Sequence, residues 1–431
     1  MKLSVSLFLA FPLIALVATS CTKSDSSPPA KSASAPLTAG VTPKNLSLKN
    51  ACALAVSHHS SLATYPMDRR AADARILRAS RIPNPTLTID DEDFFGSGDL
   101  GGLSSSVLNT LLTQVIERGG KRQARTDAAR SSGKVMDAEY EVRRLEVIKK
   151  TGELYLDAVA ARENVRFLEA KLNRSKETQG VISQLSEVGR VTIDAVQQAK
   201  LEVQKSGLEL AKARTDEERA ARALTAQWGD PRATLVTNQS LHEPPATLAS
   251  RTSQKKGLKK HPTMQHSLAK VAESDALLKL AKANKLMNPT LGGGVRHANE
   301  ADQFSGLFSI SFPLPVFNKR EDAIAEMSAL SEKSRTELAG AQRALDAEFS
   351  LAWADLVSAH QTARLIKIDL LPSSAELFKS AEESFRVGKI TSLEYLAAQQ
   401  QFQEIRRKWL DARLDYQTMA TRVQVLTNRS L

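Results

Sequence analysis

Arg386-Val-Gly-Lys-Ile-Thr-Ser-Leu-Glu-Tyr-Leu-Ala-Ala-Gln-Gln400 lies between two long helical patterns, and it has an echo earlier in the chain, Glu187-Val-Gly-Arg-Val-Thr-Ile-Asp-Ala-Val-Gln-Gln-Ala-Lys200. Self-similarity at such a distance marks a repeated architecture. In each copy a glycine, Gly189 or Gly388, ends one helix. A hydroxyl followed by a carboxylate starts the next: Thr192 with Asp194, and Thr391 with Glu394. Glycine relaxes the left-handed C-cap, Thr accepts from free N–H groups, and the acid suits the positive helix end. Each copy therefore reads as the tight tip of a helical hairpin.

The repeat extends outward from these tips. Pro83-Asn84-Pro85-Thr86-Leu87 returns as Met287-Asn288-Pro289-Thr290-Leu291, and Gly119-Gly120-Lys121-Arg122 is answered by Phe317-Asn318-Lys319-Arg320. Both halves run helix, Asn-Pro, alternating segment, Lys-Arg, very long helix, glycine tip, helix. We read residues 46–231 as the first repeat, with a β-hairpin at 84–117 and its tip near 188–192. Residues 254–431 form the second, with a hairpin at 288–316 and its tip near 387–391. An irregular linker containing Pro244-Pro245 occupies 232–253.

Each hairpin joins alternating strands, and Phe308-Ser-Ile-Ser-Phe312 shows the pattern best, with apolar groups on one face and hydroxyls on the other. That is the lipid-out, water-in pattern of a membrane strand, of which roughly ten tilted residues span a bilayer; an ordinary soluble hairpin is the alternative, and the N-terminal secretory signal and the duplication favour the membrane strand. An open sheet leaves its edge N–H and C=O groups without partners in lipid. Four strands per chain are too few for a barrel with a lumen, so several chains must pool theirs.

From Lys121 to Ser186 the helical pattern runs without proline, about 100 Å at 1.5 Å per residue. Its apolar positions make two stripes. One is Val135, Val142, Leu145, Gly152, Leu156 and Val159; the other is Val147, Leu154, Ala158, Ala161, Val165, Leu168 and Leu172. A helix packed on two sides is expected in a closed cylinder. Pro372 interrupts the corresponding second-half helix, and Ser373-Ser374 are placed to cap a restart, so a kink or a short break is expected there.

At the N-terminus, residues 1–20 read as a secretory signal: Lys2 supplies the charge, an apolar run follows, and Ala18-Thr19-Ser20 precede Cys21. Small residues ending at a cysteine are similar to a bacterial lipoprotein box, so Cys21 is the expected lipidation site; Ala18 stands where Leu is usual, and ordinary signal cleavage nearby is the alternative. Thr22 after it favours the outer membrane over inner-membrane retention. Residues 21–45, rich in Ser, Pro, Ala and Lys, form an extended tether. Cys52 lies on an apolar helical face and reads as core.

The net charge is +11, from 59 Lys and Arg against 48 Asp and Glu. The basic residues are spread along helices among acids, without the clustered basic and aromatic pattern of a nucleic-acid site. His58-His59, His261, His266, His297 and His360 lack zinc-type spacing. Asp90-Asp-Glu-Asp93 reads as a solvated loop. The chain carries no nucleophile elbow, phosphate loop or ordered acid–base pair, so neither an enzyme nor a cofactor is expected. A secreted coiled coil without a pore is the competing class.

Together these motifs resemble the TolC family of bacterial outer-membrane efflux proteins, from about Leu46 to the end. The Gly-Gly-Lys-Arg motif and Pro313-Leu-Pro-Val-Phe-Asn318 are most similar to its cobalt–zinc–cadmium branch. The resemblance implies a mainly α fold with a membrane β-barrel portion: a homotrimer whose twelve strands close one barrel over a helical tunnel. It implies a passive duct with two partners, a periplasmic adaptor and a resistance–nodulation–division transporter that supplies the energy. Adaptor contact is carried over to Val188, Gly189, Arg190, Val387, Gly388, Lys389 and Thr391. A ring of carboxylates closes the tunnel in many members. Glu394 matches that position, Ala397 stands where some have a second acid, and Asp194 lies one residue nearer its glycine than Glu394 does to its own. The cargo implied is divalent metal ions; drugs, organic solutes or secreted proteins are the alternative.

Overall fold

The computed structural model describes residues 46–93, 97–98, 104–230 and 239–427. The signal segment, Cys21, the tether to residue 45 and part of the linker lie outside the described residues. The fold follows the doubled order of motifs. Helices α1 (Leu48–His58), α2 (Ser60–Ala63) and α3 (Tyr65–Ser80) lead to strands β1 (Thr86–Glu92) and β2 (Val107–Val115). Helix α4 (Lys121–Glu187) then runs 67 residues without a break, and α5 (Ile193–Thr225) returns. The second half repeats this with α6 (Arg251–Lys255), α7 (Pro262–Asn284), β3 (Thr290–Ala298), β4 (Gln303–Ser311), α8 (Glu321–Leu365), α9 (Leu371–Arg386) and α10 (Ser392–Leu426).

The predicted helix ends have local causes. Ser47 caps α1 by accepting from Asn50 N–H. Pro66 sits in the first turn of α3, where its missing N–H matters least. Trp228 ends a 3-10 turn after α5, and Gly229 (φ 80°) turns the chain away. The first helical segment is also broken at His59. At His59 the backbone is extended and the imidazole accepts from Ser61 N–H, starting α2.

Pro372 does not break its helix. The chain passes from α8 into α9 through a π turn, Ile366–Leu370, in which Leu371 N–H reaches back to the Ile366 carbonyl. A proline ring crowds the carbonyl four residues before it, and one wider turn relieves the conflict while the helix continues. Ser374 accordingly donates to the Leu371 carbonyl rather than capping a new helix.

Helix α4 packs against α3, α5, α7 and α10, which is why it carries two apolar stripes. Gly152, Leu156 and Val159 of the first and Val147, Ala158, Val165 and Leu168 of the second are buried. Around its middle, Trp228, Leu224, Leu241, Ala51 and Ala55 form the largest core. A half-buried ion pair closes this region. Glu163 on α4 meets Arg413 on α10 at 3.1 Å and accepts from Leu241 N–H at 2.6 Å. It therefore joins both halves to the linker.

The four strands form one antiparallel sheet in the order β1-β2-β3-β4. The β2–β3 pairing unites the halves, with Thr113 opposite Gly292 and Thr110 opposite Val295. Directly paired residues share a face. Leu87, Ile89, Leu112, Leu291, Val295, Phe304, Phe308 and Ile310 thus stand together on one side, 40 to 77% exposed. Asp90, Asn109, Arg296 and Ser305 make one row on the other side, and Thr86, Thr113 and Ser309 lie in another. Within the chain, β1 and β4 are the sheet's two edges.

Candidate functional site

The tips are built alike at their C-caps. Gly189 (φ 72°) donates to the Ser186 carbonyl at 2.9 Å, and Arg190 N–H to the Leu185 carbonyl at 2.8 Å. Gly388 (φ 76°) donates to Phe385 at 3.0 Å, and Lys389 N–H to Ser384 at 2.9 Å. These paired bonds satisfy carbonyls that a helix end leaves open, and they need a residue at ease in the left-handed region. Arg190 and Lys389 project from the exposed turns. Around them Val188, Ile193, Val387 and Leu393 are 63 to 72% exposed, an apolar fringe beside one cation at the end of each hairpin.

The N-caps differ. Thr391 Oγ1 accepts from Glu394 N–H at 3.3 Å, and Glu394 Oε2 accepts from Thr391 N–H at 2.7 Å and from its hydroxyl at 2.9 Å. This reciprocal capping box holds the Glu394 carboxyl below the usual range, first through the Thr391 backbone N–H and then through its hydroxyl. At the first tip Thr192 is the cap residue without a side-chain bond. There the acid, Asp194, falls at the second helical position and Ala195 at the third, so nothing reaches back to the cap. Both acids are exposed, each at its own helix start. Among the described hydrogen bonds and ion pairs none joins them.

Beneath the tips the two halves share one core. Ile182, Ala195 and Ala199 of the first hairpin pack with Phe378, Phe385, Tyr395 and Leu396 of the second. Phe385 stacks on Tyr395 with centroids 4.8 Å apart, and Phe378 on Phe402 at 5.5 Å. Thr178 donates to Gln399 across the halves at 3.3 Å. The sequence reading missed this cluster. Its signal was seven-residue spacing: Phe378 with Phe385, and Tyr395 with Phe402.

Where sheet meets helices, two of the motifs touch. Asn288 Oδ1 accepts from Lys121 Nζ at 2.6 Å and from Arg118 N–H at 3.2 Å. Burial, then the nearby Arg320, lowers the Lys121 pKa. Arg125 binds Glu117 at 2.6 Å and also donates to the Ala79 and Arg81 carbonyls at 2.9 Å. It thereby locks the start of α4 to the end of α3.

The histidines are used locally. His261 caps α7 by accepting from Thr263 N–H, His360 lies 2.7 Å from the Pro245 carbonyl, and His297 stacks on Phe304 beside Asp302. Among the described residues no group of three or more His, Cys, Asp or Glu side chains could hold a metal ion. Burial pushes the Cys52 thiol up to about 11, so it stays protonated and unreactive.

Comparison with known proteins places this geometry. Residues 53–230 and 255–429 match the family described as outer membrane efflux protein. The cobalt-zinc-cadmium resistance protein CzcC of Cupriavidus metallidurans is 24% identical over 366 residues, covering 85% of this chain and 86% of that protein. The CmeC outer membrane channel of Campylobacter jejuni superposes with a TM-score of 0.70 at 18% identity, over 89% of this chain and 86% of that one. The open-state MtrE outer membrane channel of Neisseria gonorrhoeae gives 0.71 at 15% identity, over 89% of each chain. With both halves matched in order, and with its overall fold shared with these channels, the chain belongs to the outer membrane efflux protein family.

Proposed function

We propose that this chain is the exit duct of a tripartite efflux system, a passive homotrimer that carries divalent metal ions through the periplasm and the outer membrane. The family is one of outer-membrane channels rather than enzymes. The observation that carries the reading is the sheet. It is apolar on one face and polar on the other, and it ends in two open edges. Lipid accepts the apolar face but not the edges. Three copies joining edge to edge would satisfy every edge group and enclose the hydroxyl and charged rows around water.

On this reading residues 1–20 are removed, lipid on Cys21 holds the tether of 21–45, and the repeats 46–231 and 254–431 flank the linker 232–253. The tips Val188, Gly189, Arg190, Val387, Gly388, Lys389 and Thr391 meet the helical hairpins of a periplasmic adaptor. A resistance–nodulation–division transporter supplies the energy. Glu394, with Asp194, rings the periplasmic aperture, where like charges around a narrow axis would gather cations. Metal cargo is supported by the Lys-Arg and Pro-Leu-Pro motifs and by the metal-resistance relative.

Growth of a deletion strain on zinc, cobalt, cadmium, copper and nickel salts, beside dyes, detergents and antibiotics, tests the cargo. Metal hypersensitivity restored by the intact gene is expected. Sensitivity to organic compounds alone would keep the duct and replace its cargo. Incorporation of labelled palmitate that is lost in Cys21→Ala tests the anchor.

A further inference from the structure

We propose that the seam between neighbouring copies is a knob-in-groove contact, with Phe317 of one chain seated against Ile82 of the next. Strand β4 then pairs with β1 of that next chain in one register, Ser311 opposite Thr88. This rests on the trimeric duct proposed above and adds to it the residues that close the ring.

The chain contains its own template for the seam. Inside one chain the halves meet along β2 and β3. Beside that pairing, Asn288 accepts from Lys121, and the turn at Gly119 (φ 70°) lies so close to α7 that a Cβ there would stand 2.5 Å from Leu286 Cδ1. The hairpins also fix which residues correspond. Thr86 faces Thr113 in the first and Thr290 faces Ser311 in the second, so Thr86 matches Thr290 and Thr113 matches Ser311. Counting on from these pairs, Gly119 matches Phe317 and Lys121 matches Lys319, which is also how the two Lys-Arg motifs align. Counting back, Leu286 matches Ile82 and Asn288 matches Asn84.

At the internal seam Thr113 stands opposite Gly292. The equivalent pairing between copies sets Ser311 opposite Thr88. It also brings Ile310 beside Ile89 and Phe312 beside Leu87, so the apolar face continues across the seam. A slip of one residue would set Ile310 beside Thr88 or Asp90 and break that face.

The groups that would fill the second seam are bare in the single chain. Phe317 is fully exposed at 102%, and Ile82 is 61% exposed. Ile82 opens on a groove of about 740 Å³, lined there by Ala79, Pro83, Asn84 and Arg125. Where the internal seam leaves room only for glycine, the groove leaves room for a phenyl ring. Lys319, exposed beside Phe317, would reach Asn84 as Lys121 reaches Asn288. The helices are left in the matching state. Helix α4 packs along α3 on one flank and α7 on the other, whereas α8 packs along α7 and α10. The flank of α8 that corresponds to the α7-facing flank of α4 is the one that α3 of a neighbour would take. Such a contact joins unlike surfaces head to tail, and it closes only when the last copy meets the first.

The test uses the full chain in membranes, with p-benzoyl-phenylalanine replacing Phe317 so that the aromatic knob is kept. The native mass of the extracted protein is read first. After irradiation, a chain-to-chain product whose linked peptide contains residues 79–84 is expected. In parallel, Ser311→Cys with Thr88→Cys should oxidise to two- and three-chain species, while Ser311→Cys with Asp90→Cys should give far less. Paired strand positions lie within disulfide reach. A trimer whose photoproduct maps elsewhere, or whose cysteines link better at Asp90, overturns the seam and leaves the duct standing. A monomeric mass overturns both.

Discussion

Thr391 and Glu394 share a motif in which each side chain serves the other's backbone, and this separates two roles that one acid could play. Glutamine also completes a capping box. Glu394→Gln should therefore leave the melting of the helical signal almost unchanged, whereas Thr391→Ala should lower stability by about 1 kcal/mol. If Glu394 also lines the aperture, Glu394→Gln will reduce cation preference in single-channel recordings; unchanged conductance and selectivity would reduce it to a cap. The pH dependence has a definite sign. The folded carboxyl titrates below its ordinary value, so its contribution is present above the unfolded pKa, about 4.3, and is lost as pH falls through the folded value. Protection at 391–395, measured against the intrinsic exchange rate at each pH, should fall in acid and do so less in Glu394→Gln. At the turn itself, Gly388 sits at φ 76°. Alanine there costs about 1–2 kcal/mol and should appear as faster proteolysis of the tip.

At the scale of elements, the aromatic cluster under the tips is the part most exposed to single changes. Phe385 is buried and stacked on Tyr395. Phe385→Ala should cost about 3–5 kcal/mol, visible as early loss of near-ultraviolet signal while the sheet and the Trp228 core persist. The π turn gives a second prediction. With alanine at 372 the crowded carbonyl is freed and the N–H restored, so ordinary helical bonding can return and exchange at 366–372 should slow. Sequence alone left a kink and a short break both open at this point because the proline is a local signal. Whether a helix breaks or widens depends on what holds it on both sides, and here Ile366 and Ala363 are buried with Ala412. The tips were readable for the opposite reason: glycine, hydroxyl and acid act within a few residues, and only the unused Thr192 cap turned on the one-residue shift of Asp194.

Across the whole molecule, the doubled order of elements was legible because each motif occurs twice, and alternation gave the faces of the sheet. The β2–β3 pairing, the Asn288–Lys121 contact and the Glu163–Arg413 pair were not, since they join positions far apart in the chain that no local pattern connects. Adaptor docking belongs at this scale. One cation, Arg190 or Lys389, and an apolar fringe end each hairpin, so Arg190→Glu combined with Lys389→Glu should weaken capture of the proposed adaptor from membranes. Wild-type capture should also be salt-sensitive, because exposed charges are screened. Capture that withstands both changes would place docking elsewhere.

The fusion of two halves by the β2–β3 pairing also bears on how fast a ring can form. Within each chain that pairing is unimolecular and proceeds at the high effective concentration set by covalent linkage. The pairing of β4 with a neighbour depends on encounter, and such steps slow with dilution. In the ring proposed above, every second seam is thus made before chains meet, and at low copy number a newly made chain would wait as a half-finished unit with two bare strand edges. Abundant copies of the chain would then close rings quickly, and scarcity would leave chains stranded with their edges open to the wrong partners.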